Sequence, residues 1–313
     1  MANDSFMLFS GTSHVRLAEE VADNLRIKLG KAKIDKFPDG EIGVQILENV
    51  RGRDVFVMQS IAKAPNLYLM ELLIIIDALK RASARRIIAV IPYYGYARQD
   101  RKDRGRVPIT AKLVADLLEK AGVHRVVTMD LHTEQIQGFF NIPVDNLYAR
   151  PVLIEAIGKL GCREPVVTAP DIGSAKLARV MASEMGASFA IVDKQRINST
   201  AVEACALIGS VQGRNVILVD DICSTGGTLK KAALACKKEG AKRIFAVVTH
   251  GLFIGDILQD KNIERFLVAN TIPLPEEIDH SKIDVCTVAG IFGKALSSIV
   301  NNESISALFR PAT

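Results

Sequence analysis

Short apolar runs closed by a polar residue recur along the chain, and between them stand longer stretches with the make-up of helices. The clearest run is Val216-Ile217-Leu218-Val219, three of whose four residues are β-branched, and it ends in Asp220-Asp221. Such a run suits a buried parallel strand, and Leu229 to Glu239 (LKKAALACKKE) has the composition of a helix. Val55-Phe56-Val57-Met58, Ile87-Ile88-Ala89-Val90, Arg125-Val126-Val127-Thr128, Pro165-Val166-Val167-Thr168 and Phe189 to Val192 repeat the strand pattern, and Leu67 to Ala84 reads as a second helix. Strands alternating with helices imply an α/β fold with a mostly parallel, doubly wound sheet.

Part of the pattern occurs twice, at an offset of roughly 160 residues. Gly52-Arg53-Asp54-Val55-Phe56-Val57-Met58-Gln59-Ser60 matches Gly213-Arg214-Asn215-Val216-Ile217-Leu218-Val219-Asp220-Asp221, and Ala84-Arg85-Arg86-Ile87-Ile88-Ala89-Val90 matches Ala241-Lys242-Arg243-Ile244-Phe245-Ala246-Val247. Each copy reads strand, helix, strand. The expected division is therefore two domains, 1–149 and 150–313, meeting near Ala149-Arg150-Pro151, with the last roughly ten residues packing back on the first domain.

The copies part where chemistry is expected. After Asp220-Asp221 comes Ser224-Thr225-Gly226-Gly227-Thr228, a turn between strand end and helix start. Glycines let the backbone approach a ligand, hydroxyls add donors, and the unpaired N–H groups of a helix start favour phosphate. Asp220 and Asp221 are placed to accept from vicinal hydroxyls, so the turn reads as a site for a phosphorylated sugar. A capped turn with a solvated acidic pair is the bland alternative. The first copy carries Gln59-Ser60 and then Lys63-Ala64-Pro65 at these places, so only the second half keeps the loop.

Composition narrows the class. A chain of 313 residues with 49% hydrophobic and 24% charged residues is that of a soluble globular protein of two domains. The richest apolar stretch, Leu67 to Leu79, is broken by Glu71 and Asp77, short of the roughly 20 residues a membrane span requires. The opening MANDSFMLFSGTS lacks a secretory pattern, and five cysteines without a C-x-x-C pair argue against a disulfide framework and a structural zinc site, so cytoplasm is the expected setting. A formal charge of +5, with 5% aromatics and no Trp, gives no case for a nucleic-acid partner.

Further segments carry candidate chemistry. No G-x-x-x-x-G-K-[ST] and no G-x-G-x-x-G occurs, so a nucleotide must be held another way. Phe37-Pro38-Asp39-Gly40-Glu41 sets an aromatic beside two carboxylates on a bent loop, able to stack a base or to be a plain turn. Tyr93 to Arg106 contains Arg98-Gln99 and packs five basic residues into nine positions, which suits a polyphosphate or a solvated basic loop. Met129-Asp130-Leu131-His132 and Ala169-Pro170-Asp171 each end a strand on polar groups that suit a divalent ion completed by substrate phosphates, although lone histidines are more often structural. Asp193-Lys194-Gln195-Arg196 offers two cations at alternate positions, suited to a reacting phosphate or to an ordinary surface loop.

Taken in order, FPDGE, YARQD, a DLH after a strand, a Pro-Asp, a Lys-x-Arg loop and VDD-x-x-x-TGGT resemble the ribose-phosphate pyrophosphokinase family nearly end to end, closing segment included. The resemblance implies two domains of type I phosphoribosyltransferase-like fold and transfer of the diphosphoryl group of Mg-ATP to the 1-hydroxyl of ribose 5-phosphate, giving 5-phosphoribosyl 1-pyrophosphate and AMP. It implies that Thr225, Gly226, Gly227 and Thr228, with Ser224, hold the 5-phosphate and that Asp220 and Asp221 bind the ribose hydroxyls. Phe37, Asp39, Gly40, Glu41, Arg98 and Gln99 would hold ATP, His132 and Asp171 Mg²⁺, and Lys194 and Arg196 would be catalytic, Arg196 also touching the sugar phosphate. A homohexamer with ATP sites between subunits is implied as well.

Two departures stand out: Ser224 replaces the Asp of many members, and Gln195-Arg196-Ile197-Asn198 is less basic than the family's usual run. Arg51, Arg104, Ser304 and Ser306 resemble parts of the family's regulatory site, which makes phosphate and ADP hypothetical allosteric effectors. The rival readings are a phosphoribosyltransferase, which needs no second copy, and a regulatory subunit without turnover.

Overall fold

The computed structural model describes residues 6–196 and 203–305, the side chains of 194–196 and 203–205 excepted. Its elements run β1 (Phe6–Ser10), α1 (Val15–Leu25), β2 (Ala32–Lys36), β3 (Ile42–Ile46), β4 (Asp54–Met58), α2 (Pro65–Arg81), β5 (Arg86–Ile91), α3 (Thr110–Ala121), β6 (Arg125–Met129) and β7 (Val144–Leu147). They continue with α4 (Arg150–Lys159), β8 (Val166–Ala169), α5 (Ala175–Glu184), β9 (Ser188–Arg196), β10 (Glu203–Ile208), β11 (Asn215–Cys223), α6 (Gly227–Lys238), β12 (Arg243–Gly251), β13 (Arg265–Ala269), β14 (Ile283–Cys286) and α7 (Ala289–Asn301). Two compact units result: one from 6–148, 271–273 and 288–305, the other from 149–270 and 274–287.

In the first unit five parallel strands pair in the order β1-β4-β5-β6-β7, and β2 and β3 form a separate antiparallel hairpin. Phe9, Val57, Ile75, Leu79 and Ala89 are buried in its core between sheet and helices. Helix α2 starts at Pro65, two residues before the run that marks it, because proline's fixed φ and missing N–H suit a first helical turn. Helix α7 packs on α1, and the Ser60 hydroxyl donates to the Thr271 carbonyl, tying 271–273 to this unit.

The second unit is a seven-stranded sheet ordered β10-β9-β8-β11-β12-β13-β14, parallel throughout except for β10 against β9. Val166, Val216, Leu218, Ala246, Leu229 and Phe266 are buried in its core. From β8 the chain winds one way to β9, and from β11 the other way to β12, so the winding reverses between β8 and β11. Ligands of open α/β sheets enter beyond the strand ends at such a point.

The duplication repeats hydrogen bond by hydrogen bond. Asp54 faces Arg86 across β4 and β5 as Asn215 faces Arg243 across β11 and β12. Gly52 N–H donates to the Ser83 carbonyl at 2.9 Å, and Gly213 N–H to that of Gly240 at 2.9 Å. Arg85 N–H reaches the Arg53 carbonyl at 2.8 Å, and Lys242 N–H that of Arg214 at 2.8 Å. Gly52 and Gly213 adopt φ of 71° and 69°, a left-handed conformation that costs glycine little. The order strand, helix, antiparallel pair, strand is likewise shared by β1-α1-β2-β3-β4 and β8-α5-β9-β10-β11. In the second unit the pair joins the sheet through β8 and β9; in the first it stands apart.

One interaction has no twin. Asp54, buried, accepts from Arg85 Nε at 2.9 Å and Nη2 at 2.8 Å and from Arg86 Nε at 3.0 Å, with Arg86 Nη2 closing a second fork. Burial pushes the carboxyl pKa up, but the hydrogen bonds and charges of Arg86 and Arg85 outweigh it and hold Asp54 at about 2. An acid depressed below its unfolded value stabilises the fold above pH ~4, and that contribution is lost as pH falls towards 2; it amounts to about 2 kcal/mol. Urea unfolding from pH 5 to pH 2.5 should show the wild type losing about 1.5 kcal/mol more than Asp54→Asn, which is less stable at pH 7.

Candidate functional site

The crevice of the second unit is built by strands that stop pairing at different places. Strand β8 pairs with β11 only through Leu218 and Thr168, whereas β12 follows β11 through Asp220, Ile222 and Cys223. Asp220 and Asp221 thus lie within the strand rather than beyond its end at Val219, because β12 continues alongside. On the side that β8 has left, Asp171 and Ser174 take up the space: Ser174 Oγ lies 2.9 Å from Asp220 Oδ1 and 3.2 Å from Asp171 Oδ1. Ser174 escaped the motif reading; its signal was Asp171-Ile172-Gly173-Ser174, a short acid-to-hydroxyl spacing before a helix.

Beyond Cys223 the turn is pinned from outside. Leu252 N–H and Phe253 N–H donate to the Cys223 carbonyl at 2.9 and 3.2 Å, and Ile254 N–H donates to that of Ser224 at 2.8 Å. Gly226 adopts φ of 77°, and a Cβ there would meet Ile257 Cγ1 at 2.3 Å. Gly227 already belongs to α6, and a Cβ on it would find nothing nearer than Thr225 Oγ1 at 3.9 Å. No side chain caps this helix, so its first N–H groups point into the turn, where Thr225 and Gly227 are exposed and Ser224 and Thr228 half-buried.

Electrostatics makes the crevice a poor resting place for bare charge. Withdrawal from water, then the like charge of Asp221 and that of Asp171, push the Asp220 carboxyl well above the ordinary range; the Ser174 hydroxyl works against them. Cations or hydroxyl donors from a ligand would relieve this repulsion. Behind the turn, burial raises the Cys223 thiol to about 12, which removes it as a nucleophile near neutral pH.

The first unit closes the corresponding place. Gln59, at the position of Asp220, accepts from Ser13 N–H at 3.1 Å and donates to Glu71 Oε1 at 2.7 Å. Glu71 also takes Thr12 N–H at 2.7 Å and Thr12 Oγ1 at 2.6 Å. Gln59, Glu71 and Ser13 are buried, so the twin cradle is filled by its own side chains.

Elsewhere in that unit the other candidates gather on loops. Phe37-Pro38-Asp39-Gly40-Glu41 forms the tip of the β2–β3 hairpin, where the motif alone indicated only a bent loop; Phe37 N–H donates to the Glu41 carbonyl at 2.8 Å and Glu41 N–H to Asp39 Oδ1 at 3.1 Å. Phe37 is 54% exposed and lies over Gly43, whose missing Cβ would stand 3.0 Å from the ring. Arg98 and Gln99 follow a buried Tyr94, which donates to the Ala111 carbonyl at 3.0 Å. Asp100 accepts from Thr133 Oγ1 at 2.9 Å, which joins the Arg98-Gln99 segment to exposed His132 at the end of β6. Arg98, Arg101, Lys102, Arg104 and Arg106 form no ion pair among the described residues. Lys194 and Arg196 end β9, opposite Cys205 and Glu203 of β10; their side chains lie outside the described residues, as does Ser306. Among the described residues no group of three or more His, Cys, Asp or Glu side chains could hold a metal ion, and no helix is long and apolar enough to cross a membrane.

Two α/β domains with mostly parallel sheets, the second doubly wound and carrying an uncapped hydroxyl-glycine turn beside an acidic pair, define a protein of the phosphoribosyltransferase-like class. Known proteins narrow the class. Residues 6–122 match the N-terminal domain of ribose phosphate pyrophosphokinase, and 189–310 match the phosphoribosyl synthetase-associated domain. The ribose-phosphate pyrophosphokinase of Vibrio vulnificus is 50% identical over 96% of this chain and 98% of its own, and that of Ralstonia nicotianae 46% identical over 99% of each. The crystal structure of phosphoribosylpyrophosphate synthetase from Mycobacterium smegmatis superposes with a TM-score of 0.90 at 39% identity, covering 96% of this chain and 100% of that one. The chain belongs to the ribose-phosphate pyrophosphokinase family.

The two loop glycines differ in what they do for the fold. Gly226→Ala should cost about 2–4 kcal/mol in chemical denaturation, through its left-handed φ and the collision with Ile257. Gly227→Ala should leave stability equal or raise it by about 0.5–1 kcal/mol, as alanine does inside a helix.

Proposed function

We propose that this chain is an enzyme that transfers the diphosphoryl group of ATP to the 1-hydroxyl of ribose 5-phosphate, forming 5-phosphoribosyl 1-pyrophosphate and AMP as nucleotide precursors. The observation that carries the reading is the asymmetry of the copies: one crevice open with carboxylates and an uncapped helix, its twin closed by Gln59 and Glu71. The sugar phosphate goes to the open crevice. There Thr225, Gly226, Gly227 and Thr228, with Ser224, take the 5-phosphate on backbone N–H groups and hydroxyls, and Asp220 with Asp221 accept from the ribose hydroxyls.

ATP goes to the loops of the first unit. Phe37 stacks adenine, Asp39, Gly40 and Glu41 offer it polar partners, and Arg98 with Gln99 hold the phosphate side. The 1-hydroxyl oxygen forms its bond to the β-phosphorus and releases its proton to solvent as the bond from that phosphorus to the bridging oxygen breaks, and AMP leaves with that oxygen. Lys194 and Arg196, Arg196 also touching the sugar phosphate, stabilise the negative charge that spreads over the phosphoryl oxygens. Mg²⁺ would be held at Asp171 and at His132, each a hard or borderline donor at a strand end, with substrate phosphates completing the shell. When bound, it neutralises phosphate charge.

The working form is a homohexamer with ATP sites shared between subunits. Phosphate and ADP are its effectors, through Arg51, Arg104, Ser304 and Ser306. Cys162, Cys223, Cys236 and Cys286 are all unpaired, which supports a cytoplasmic setting.

Product analysis tests the reaction: ribose 5-phosphate and ATP should give 5-phosphoribosyl 1-pyrophosphate with AMP. ADP would mark an ordinary kinase, and no turnover a regulatory subunit. Lys194→Ala should lower kcat by about 10³-fold with both KM values within a few-fold, and equal turnover would remove its catalytic role. Gly227→Ala, neutral for the fold, should raise KM for ribose 5-phosphate about tenfold or more, because its Cβ stands where a phosphate oxygen approaches.

A further inference from the structure

Ser174 stands between two carboxylates to which the reading above gives different tasks. It is 6% exposed and immediately precedes α5. Its N–H donates to Asp171 Oδ1 at 3.3 Å, so the backbone alone already holds Asp171. Its hydroxyl lies 2.9 Å from Asp220 Oδ1 and 3.2 Å from Asp171 Oδ1. One hydroxyl carries one proton, and the shorter contact with Asp220 takes the better share of it. Asp220 Oδ1 also accepts from Asp221 N–H at 3.0 Å, so both of these bonds fall on the same oxygen and fix the rotation of the carboxylate.

We propose that Ser174 is a positioning residue for ribose 5-phosphate: its hydroxyl orients Asp220 so that the sugar meets an acceptor already aligned. The inference rests on the reading that this crevice holds ribose 5-phosphate. The turn from Ser224 to Thr228 carries no carboxylate of its own, so the sugar's hydroxyls fall to the Asp220-Asp221 pair. A carboxylate free to rotate must be ordered when the ligand arrives, and that ordering weakens binding. The hydroxyl performs it beforehand.

The test is calorimetric binding of ribose 5-phosphate to the full-length protein, with steady-state kinetics alongside. Ser174→Ala should weaken binding about fivefold to tenfold and raise KM for ribose 5-phosphate in step, while kcat and KM for ATP stay within about twofold. Ser174→Gly should repeat the loss, and Ser174→Thr, which keeps the hydroxyl, should bind within about twofold of wild type. Binding by S174A and S174G within twofold of wild type would overturn the inference, and so would an equal loss in S174T. A wild-type protein that binds no ribose 5-phosphate would instead remove the reading of the crevice on which the inference stands.

Discussion

Two adjacent carboxylates on one strand, both half-buried and Asp220 largely withdrawn from water, repel each other, and the chemistry of the second unit follows from that constraint. Asp220 and Asp221 lie where β8 has already left β11, so Asp220 is paired through the backbone on the β12 side only. With Asp171 close by, Asp220 is driven towards its protonated form. A vicinal diol supplies donors to such a pair, and a cation supplies charge. The uncapped start of α6, a few residues further along, offers N–H groups that suit a phosphate.

The first unit shows what happens to this architecture without that constraint. Its backbone repeats the second unit down to the carbonyls that receive Gly52 and Gly213. At the crucial strand end, however, a neutral amide replaces the first carboxylate, and Glu71 from α2 and the Ser13 N–H satisfy it, with Thr12 holding Glu71 in turn. A satisfied buried network has no unmet donor or acceptor to offer a ligand. The candidate functional groups of this copy lie on loops instead. The tip of the β2–β3 hairpin, with Phe37, occupies the same place in the element order as the connection between β9 and β10 that Lys194 and Arg196 precede.

Much of this was legible in the chain. The β-branched runs marked the strands, the repeated Gly-Arg-Asp/Asn pattern marked the duplication, and Thr225 to Thr228 marked the turn, because each depends on local composition and spacing. Less legible were features that depend on pairing between distant segments. The run ending at Val219 concealed a strand that continues to Cys223, since its continuation is set by β12 and not by apolar character. The hairpin around Phe37 carries its signal as alternation, in Ala32-Lys33-Ile34-Asp35 and Ile42-Gly43-Val44-Gln45-Ile46, and not as the continuous apolar runs that mark the buried strands. Ser174 gave almost no signal, because its importance comes from Asp220, a residue 46 positions away.

The central claim is that one copy opened its crevice to the sugar phosphate while the other sealed it. The most direct measurement is the stoichiometry of ribose 5-phosphate binding, by calorimetry on the wild type and on Asp220→Asn/Asp221→Asn. The account predicts one site per chain, lost in the double variant. Two sites per chain, or one that survives the loss of both carboxylates, would contradict it.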